Sequence, residues 1–566
     1  MKVKLVALNS KFSHTNLAIR YLAKYSKNQG IEDVEFQEFT INQDRHDILW
    51  KLLEDGPDLI GFSCYIWNID ETLKLCQAIK KGQPHIKILL GGPEVSFNTE
   101  VFLKAYPYVD LIIRGEGEIT FVELMQALQK KHPLDLIEGI TFREEETIFI
   151  NPDRKTLINI DELPYPYQPT ECFENQYIYY ETSRGCPFKC SFCLSSSIQG
   201  VRRKSLEIVK NELLDLFKTK AKTIKFVDRT FNDHKKRTLE LFRFISQNNP
   251  DHVKIHVEMT AELIDHELLN VIEQLPQDMF QFEIGIQSTY DKTLAEVSRR
   301  SDFQRLSQIV QQLIAFNNVH IHLDLIAGLP YESYDDFKVS FNQVAQMRGH
   351  KLQLGFLKVL KGTVMEEKKE AYGLVYLDEA PYEIIRNSWM TQLELLKLKQ
   401  VEHLVEKYYN EQYFHSTLSL VFDCMKPFDF FERFANYWAA NDLFNVSHKR
   451  IALYQILYHF LIEQNIDCTE CLLDDFLMNE PNHDIPSLFW QGDEKNDQPI
   501  KHQLLSSQGF KQEILGVSEE ISNKKLLNHF RLIKNNDRYM IYVYGNKENF
   551  FDRCRKIDVT KWVEGE

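Results

Sequence analysis

Strand-like apolar runs alternate with stretches of helical periodicity through most of the first 365 residues, and that rhythm limits the fold more than any single motif. Strands joined through helices lie parallel in their sheet, because a short turn would return the chain to the wrong end. The first block carries strands over about 3–8, 34–39, 59–63, 86–90 and 111–113, with helices over about 16–27, 46–54, 69–80 and 120–129. Alternation of this length predicts an α/β domain over 1–135 with a doubly wound, Rossmann-like sheet. Ligands of such sheets sit beyond the carboxyl ends of the strands. Small residues collect there: Ser63-Cys64, Gly91-Gly92-Pro93-Glu94 and Gly115-Glu116-Gly117-Glu118. Glycine lets backbone approach a large flat ligand without an intervening Cβ.

A linker follows over 136–175. Ile140-Thr141-Phe142-Arg143 and Thr147-Ile148-Phe149-Ile150 read as a hairpin, and Pro164, Pro166 and Pro169 keep the next stretch extended. The second alternating block spans 176–365, with strands over about 177–182, 223–227, 254–259, 281–288, 320–330 and 352–357. Six strands with intervening helices predict a partial (β/α)6 barrel of the TIM type, whose chemistry sits at the carboxyl strand ends. Asp228, Glu258, Gln287, Ser288 and the turn Gly328-Leu329-Pro330 fall at those ends. Each alone is an ordinary barrel or cap residue; their coincidence at successive strand ends points to a site. His320 and His322, alternating on one strand, read as hydrogen-bonded barrel residues.

Residues 366–566 change character. The spacing of Ile385, Trp389, Leu393, Leu396, Val401, Leu404 and Tyr408 predicts a long amphipathic helix over 382–409. The aromatic-rich stretch 422–460 continues in a helical pattern, its rings used for core packing. Segments 530–533 and 538–544 across Lys534-Asn535-Asn536-Asp537 read as a hairpin. A mostly helical C-terminal domain of unassigned role is expected.

The first barrel strand runs into Thr182-Ser183-Arg184-Gly185-Cys186-Pro187-Phe188-Lys189-Cys190-Ser191-Phe192-Cys193. The C-x3-C-x2-C spacing wraps Cys186, Cys190 and Cys193 round one loop. They supply three ligands where an iron-sulfur cubane takes four. One iron is left open, able to chelate a small molecule and pass it an electron. A zinc loop would pair C-x2-C with a second such pair or with histidines, and none lies nearby. Cys468-Thr469-Glu470-Cys471 could anchor a second cluster only with further ligands, and Cys424 is the one obvious candidate.

Composition narrows the setting. Ten cysteines, unevenly spread over 566 residues, read as reduced thiols plus one cluster, which predicts a cytoplasmic location. The N-terminus lacks the apolar run of a signal peptide, and no apolar segment is long enough to span a bilayer, so no membrane partner is expected. A net charge of −15 repels phosphate backbones and ranks nucleic acid low as a partner.

The cysteine stretch, Phe226-Val227-Asp228-Arg229-Thr230-Phe231, Gly285-Ile286-Gln287-Ser288 and Asp324-Leu325-Ile326-Ala327-Gly328-Leu329-Pro330 together resemble the radical S-adenosylmethionine (SAM) superfamily. The resemblance implies a [4Fe-4S] cluster on Cys186, Cys190 and Cys193, whose fourth iron binds SAM. Reductive cleavage then gives a 5′-deoxyadenosyl radical, with electrons from an external donor such as flavodoxin or ferredoxin. Phe192 takes the place of the family's aromatic residue beside the nucleoside. Asp228 is implied near the amino end of SAM, Glu258 and Ser288 at its ribose and carboxylate, Gln287 in the same strand-end motif, and backbone around Ala327 and Gly328 at adenine. The first block resembles the cobalamin-binding domain that precedes many such barrels. Ser63, Gly91 and Gly92 match the positions that thread cobalamin's nucleotide tail. One departure stands out: the usual D-x-H-x-x-G is replaced by Asn9-Ser10-Lys11-Phe12-Ser13-His14, with no evident cobalt-ligating histidine. His14 reads as a loop hydrogen-bonder.

These resemblances imply a cobalamin-dependent methylase of an unactivated carbon or phosphorus, consuming two SAM molecules per turnover. An anaerobic oxidative cyclase or ring-rearranging enzyme would need the same parts. A non-catalytic iron-sulfur and corrinoid carrier or sensor would have no use for the SAM-pocket residues. A methylthiotransferase would need a second three-cysteine set that the N-terminal half lacks. The substrate, whether peptide, tetrapyrrole, lipid or small metabolite, is left open.

Overall fold

The computed structural model describes every residue except 156, 169–170, 198–199, 251–252, 493–497, 508, 518–521, 528, 536–537, 546–553 and 565–566. Pro169 of the linker and the turn residues Asn536 and Asp537 therefore lie outside the described residues. The chain divides into two units, one of 1–319, 326–334 and 355–392, the other of 320–325, 335–354 and 393–566.

The first unit opens with the expected parallel sheet. Its strands are β1 (Val3–Asn9), β2 (Val34–Thr40), β3 (Leu59–Ser63), β4 (Lys87–Gly91) and β5 (Leu111–Ile113), joined by β6 (Ile140–Glu144) and β7 (Thr147–Ile150). The spatial order is β2-β1-β3-β4-β5-β6-β7. Helices α1 (Leu17–Asn28), α2 (Arg45–Leu53), α3 (Ile69–Gly82), α4 (Thr99–Ala105) and α5 (Glu118–Lys130) cover it. Alternation along β1 explains why both faces need cover: Leu5 and Ala7 enter one apolar core, Val6 and Leu8 the other. The hairpin expected in the linker forms, and it is the antiparallel edge of this same sheet, with Leu111 opposite Phe142.

The barrel strands are β8 (Tyr177–Tyr180), β11 (Thr223–Phe226), β12 (Lys254–Met259), β13 (Phe280–Gln287), β14 (His320–Ala327) and β15 (Lys351–Phe356), in the order β15-β14-β13-β12-β11-β8. Between β8 and β11 lies a small antiparallel pair that sequence reading did not anticipate, β9 (Ser183–Gly185) and β10 (Val201–Arg203). Along β13, Phe280, Phe282, Ile284 and Ile286 are buried, whereas Gln281, Glu283, Gly285 and Gln287 on the other face are half-buried. One face of the barrel sheet is thus apolar core and the other polar.

The second unit is mostly helical, and its aromatics form a core: Phe430, Phe431, Phe434, Trp438, Tyr454 and Phe460 are all buried. The long helix expected over 382–409 is corrected. Ile384–Arg386 is a strand, the helix runs only over Gln392–Leu404, and a wider π-helical turn, Val405–Asn410, follows. Its buried stripe is Leu395, Leu398, Val401 and Leu404, while Leu393 and Leu396 face solvent at 78% and 53% exposure. Ile385 and Trp389 had set the expected phase, and neither is in the helix. The C-terminal hairpin forms with Phe530 opposite Val543 and gains an unforeseen third strand, Cys554–Asp558. All ten cysteines are free, Cys468 buried and Cys471 half-buried. No helix among the described residues is long and apolar enough to cross a membrane.

Candidate active site

The cysteine loop leaves β9 at Gly185, whose φ of +106° and approach to the Gly200 carbonyl, 2.1 Å from where a Cβ would sit, admit no other residue. Backbone bonds then shape it: Cys193 N donates to Cys190 O and Ser191 N to Val297 O, each at 3.0 Å. Cys190 is buried; Cys186 and Cys193 are half-buried. The Arg299 guanidinium donates to Cys190 Sγ at 3.7 Å, and the Thr230 hydroxyl lies 3.8 Å from Cys186 Sγ. Burial pushes the Cys190 thiol up, Arg299 pulls it back, and the neighbouring Cys193 and Cys186 sulfurs push it up again. Three mutually repelling sulfurs beside a fixed cation suit a positively charged inorganic core. A cubane spreads its ligands over different irons, so the absence of a one-ion cage among the described residues does not conflict with it.

Asp228 is buried and fully engaged by the loop's base. It accepts from Thr182 N at 2.9 Å, Thr182 Oγ1 at 2.6 Å and Ser183 Oγ at 2.5 Å. Burial pushes its carboxyl up to about 6 despite those donors. Its evident task is to hold the start of the cysteine stretch. Glu258 ends β12 half-buried, with Arg229 Nη1 at 3.8 Å. Burial raises it to about 7, Arg229 opposing and Glu283 adding like charge. Gln287 adopts a left-handed φ of +73°, an unusual conformation for a non-glycine residue. Ser288 donates to the buried Glu332 carboxylate at 2.6 Å, and Gly328 turns at φ +86° with its carbonyl held by Asn387 Nδ2 at 2.8 Å. Phe192 is half-buried on the cysteine loop. The loop and the ends of β11, β12 and β13 thus carry Asp228, Glu258, Gln287 and Ser288 with different partners: Asp228 and Ser288 are tied to protein, Glu258 and Gln287 are half open.

At the carboxyl edge of the N-terminal sheet, Cys64 N donates to Gly91 O at 2.7 Å. A Cβ on Gly92 (φ +111°) would stand 2.5 Å from Cys64 O, so the tips of β3 and β4 are in direct backbone contact. Beside them, Gly91 is open: the nearest atom to its absent Cβ is Ile113 O at 3.8 Å. Ser63 Oγ is buried near Tyr65 yet makes no hydrogen bond of good geometry to the described residues. An open glycine cradle beside an unsatisfied hydroxyl fits a large ligand that brings its own acceptors. Asn68, which sequence reading missed, ties this edge together by donating to Leu8 O and Ser63 O. The third strand-end loop is used otherwise. Glu116 and Glu118 both pair with Arg184 of the cysteine stretch at 3.0 Å, and Glu116 also takes Arg202. His14 donates to or accepts from the Tyr179 hydroxyl at 2.6 Å and stacks on Tyr177, so it belongs to the β8 edge.

Comparison with known families matches three segments: a B12 binding domain over residues 3–125, the Radical SAM superfamily over 180–344, and a Protein of unknown function (DUF4080) over 370–543. The chain is 26% identical over 342 residues to the cobalamin-dependent radical SAM methyltransferase TokK of Streptomyces tokunonensis, covering 56% of this chain and 50% of that protein. It is 23% identical over 342 residues to an anaerobic magnesium-protoporphyrin IX monomethyl ester cyclase of Rubrivivax gelatinosus, covering 57% and 60%. The chain spans about half the length of the methyltransferases it matches. In fold it is similar to the cobalamin-dependent SAM radical enzyme OxsB, with a TM-score of 0.59 at 17% identity over 84% of this chain and 78% of that one. The order of matched segments follows the order of the sites just described, and the chain is a radical SAM protein with an N-terminal B12-binding domain.

Proposed function

We propose that this chain is a cobalamin-dependent radical SAM enzyme that methylates an unactivated carbon or phosphorus. The observation that carries this reading is the pairing, within one unit, of a three-cysteine loop at a barrel mouth with an open glycine cradle on a second sheet. When bound, a [4Fe-4S] cluster with one open iron supplies the electron that cleaves SAM to a 5′-deoxyadenosyl radical, and cobalamin supplies methyl transfer. Cys186, Cys190 and Cys193 would hold the first; Ser63, Gly91 and Gly92 would cradle the second. Arg299 tempers the negative charge gathered at Cys190. Glu258, half open at its strand end, offers acceptor oxygens to ribose hydroxyls or an ammonium group. Gln287 and Gly328 turn the ends of their strands through left-handed backbone conformations, and Phe192 offers a ring face. Asp228 acts one step back, keeping the cysteine loop seated.

A cyclase or ring-rearranging activity is the second reading, supported by the similarity to the magnesium-protoporphyrin cyclase. Anaerobic turnover with methyl-labelled SAM separates the two. Label in the product supports methylation; an unlabelled product supports cyclisation; and no 5′-deoxyadenosine on reduction with SAM alone leaves a carrier. We place the enzyme in a reducing cytoplasm, consistent with ten free thiols, and assign its electrons to a small external donor such as flavodoxin or ferredoxin.

A further inference from the structure

Residues 357–392 lie between the barrel strands and the helical C-terminal region, outside the matched B12 and radical SAM segments. The segment leaves the end of β15 and closes on itself. Leu357 N donates to Ala327 O at 2.9 Å, Val359 N to Tyr382 O at 3.0 Å, and Ile384 N to Leu357 O at 2.9 Å. Its outward limb reaches the loop after Gly91-Gly92: Lys361 Nζ donates to Glu94 Oε1 at 2.7 Å. One residue on, Gly362 (φ +75°) lies so close to Phe97 that a Cβ would come within 2.2 Å of the ring. Three residues further, Met365 N donates to Ser191 O at 3.0 Å, in the cysteine loop itself. On the return limb, Ala380 packs against an apolar core of the N-terminal domain. The Tyr382 hydroxyl then donates to Glu94 Oε1, the oxygen already bound by Lys361. Asn387 finally holds the Gly328 carbonyl.

We propose that this segment is a clasp that sets the corrinoid edge against the cysteine loop, with Lys361 and Tyr382 as positioning residues acting through Glu94. Glu94 is 4% exposed, and a carboxylate so buried is held in place by its partners, because losing Lys361 leaves its charge unpaired in a poor solvent and losing Tyr382 leaves an acceptor oxygen short of a donor. It stands two residues from Gly92, whose backbone contact with Cys64 leaves no slack. Fixing Glu94 therefore fixes the cradle. Only Gly362, Thr363 and Val364 separate Lys361 from Met365, so the same short limb grips both loops. The clasp rests on the corrinoid reading of the cradle given above.

The test uses the full chain with its cluster reconstituted anaerobically and hydroxocobalamin as the probe. Absorbance titration should give Lys361→Met/Tyr382→Phe at least a tenfold weaker affinity than wild type, with iron content unchanged. Glu94→Gln, which keeps an acceptor oxygen, should stay within about threefold of wild type, and Glu94→Ala should not. The reductant that reduces the cluster also takes the bound probe by one electron to cob(II)alamin, whose unpaired electron should perturb the electron paramagnetic resonance spectrum of the reduced cluster in wild type, and this perturbation should vanish in the double variant. A general packing role would leave that signature intact. Should the double variant not fold, Tyr382→Phe alone removes one hydroxyl and should still weaken binding severalfold. Wild-type affinity in folded variants overturns the clasp alone; a wild-type chain that takes up no hydroxocobalamin overturns the corrinoid reading and the clasp with it.

Discussion

Arg299 sets a cation against the cysteine loop, its guanidinium 3.7 Å from Cys190 Sγ. A fixed positive charge favours the more negative, reduced state of anything bound there. Arg299→Met should therefore lower the midpoint potential of the reconstituted cluster by about 60 mV, a tenfold shift for a one-electron couple. A redox titration followed by paramagnetic resonance reads this directly, and an unchanged potential would show that solvent already screens the charge. Glu258 makes a second prediction at this scale. Its folded-state value, raised to about 7 by burial, lies above that of an unfolded glutamate near 4.5. The folded chain thus keeps a proton the unfolded chain has released, so stability falls as pH rises from about 4.5 to 7. The full effect is of order 1 to 3 kcal/mol. In Glu258→Gln the difference in apo-protein melting temperature between pH 5 and pH 7.5 should shrink; a difference equal to wild type would assign the pH dependence to Asp228 and other acids. Residues in local motifs, such as Cys186, Asp228 and Ser63, can be singled out in the sequence because spacing marks them, but spacing does not give their partners: Asp228 is held by Thr182 and Ser183. Arg299, Lys361 and Tyr382 are not marked in this way, because each works on a partner more than a hundred positions away, and neither is Asn68, which joins the nearby Ser63 to Leu8, sixty positions off.

Elements built on alternation proved easy to read, since a parallel strand buried on both faces and an amphipathic helix leave distinct periodicities. The strands of both sheets fell where expected for that reason. Elements without a period of their own escaped: β9 and β10 are three residues each and exist through pairing with one another. The helix Gln392–Leu404 shows how a period can mislead. Ile385 and Trp389 suggest a phase that begins before it, but the chain uses them in and beside the short strand Ile384–Arg386. The corrected phase predicts opposite outcomes for two leucines only two positions apart, Leu398 buried and Leu396 exposed. Leu398→Ala should cost about 2–5 kcal/mol through the cavity it opens, and Leu396→Ala should stay within about 0.5 kcal/mol. Thermal unfolding of the two variants side by side decides it, and equal losses would return the helix to its earlier phase.

At the scale of the whole first unit, the question is what keeps two separately folded sheets in one geometry. Arg184 supplies a second link, independent of the clasp. It sits in the cysteine stretch at 13% exposure and binds Glu181 beneath it and Glu116 and Glu118 of the N-terminal domain, all within 3.0 Å. Burial works against its charge, and three carboxylates more than offset that, so the guanidinium is held charged more firmly than usual. Pairing this deep is neither cheap to build nor cheap to break: a hydrophobic replacement of the whole set would be close to neutral, but removing the arginine alone strands buried carboxylates. Arg184→Met should therefore cost about 3–5 kcal/mol. Glu118→Gln should cost less, because Arg184 keeps two partners. The double variant should be more stable than the sum of the two losses implies, with a coupling above about 1 kcal/mol as expected of residues in one network. Chemical denaturation of the four proteins supplies the cycle. Additive losses would mean that water reaches the pair and that Arg184 tethers the domains no better than a surface ion pair; a large coupling would make the same arginine that opens the cysteine stretch a structural link from that loop to the corrinoid-binding sheet.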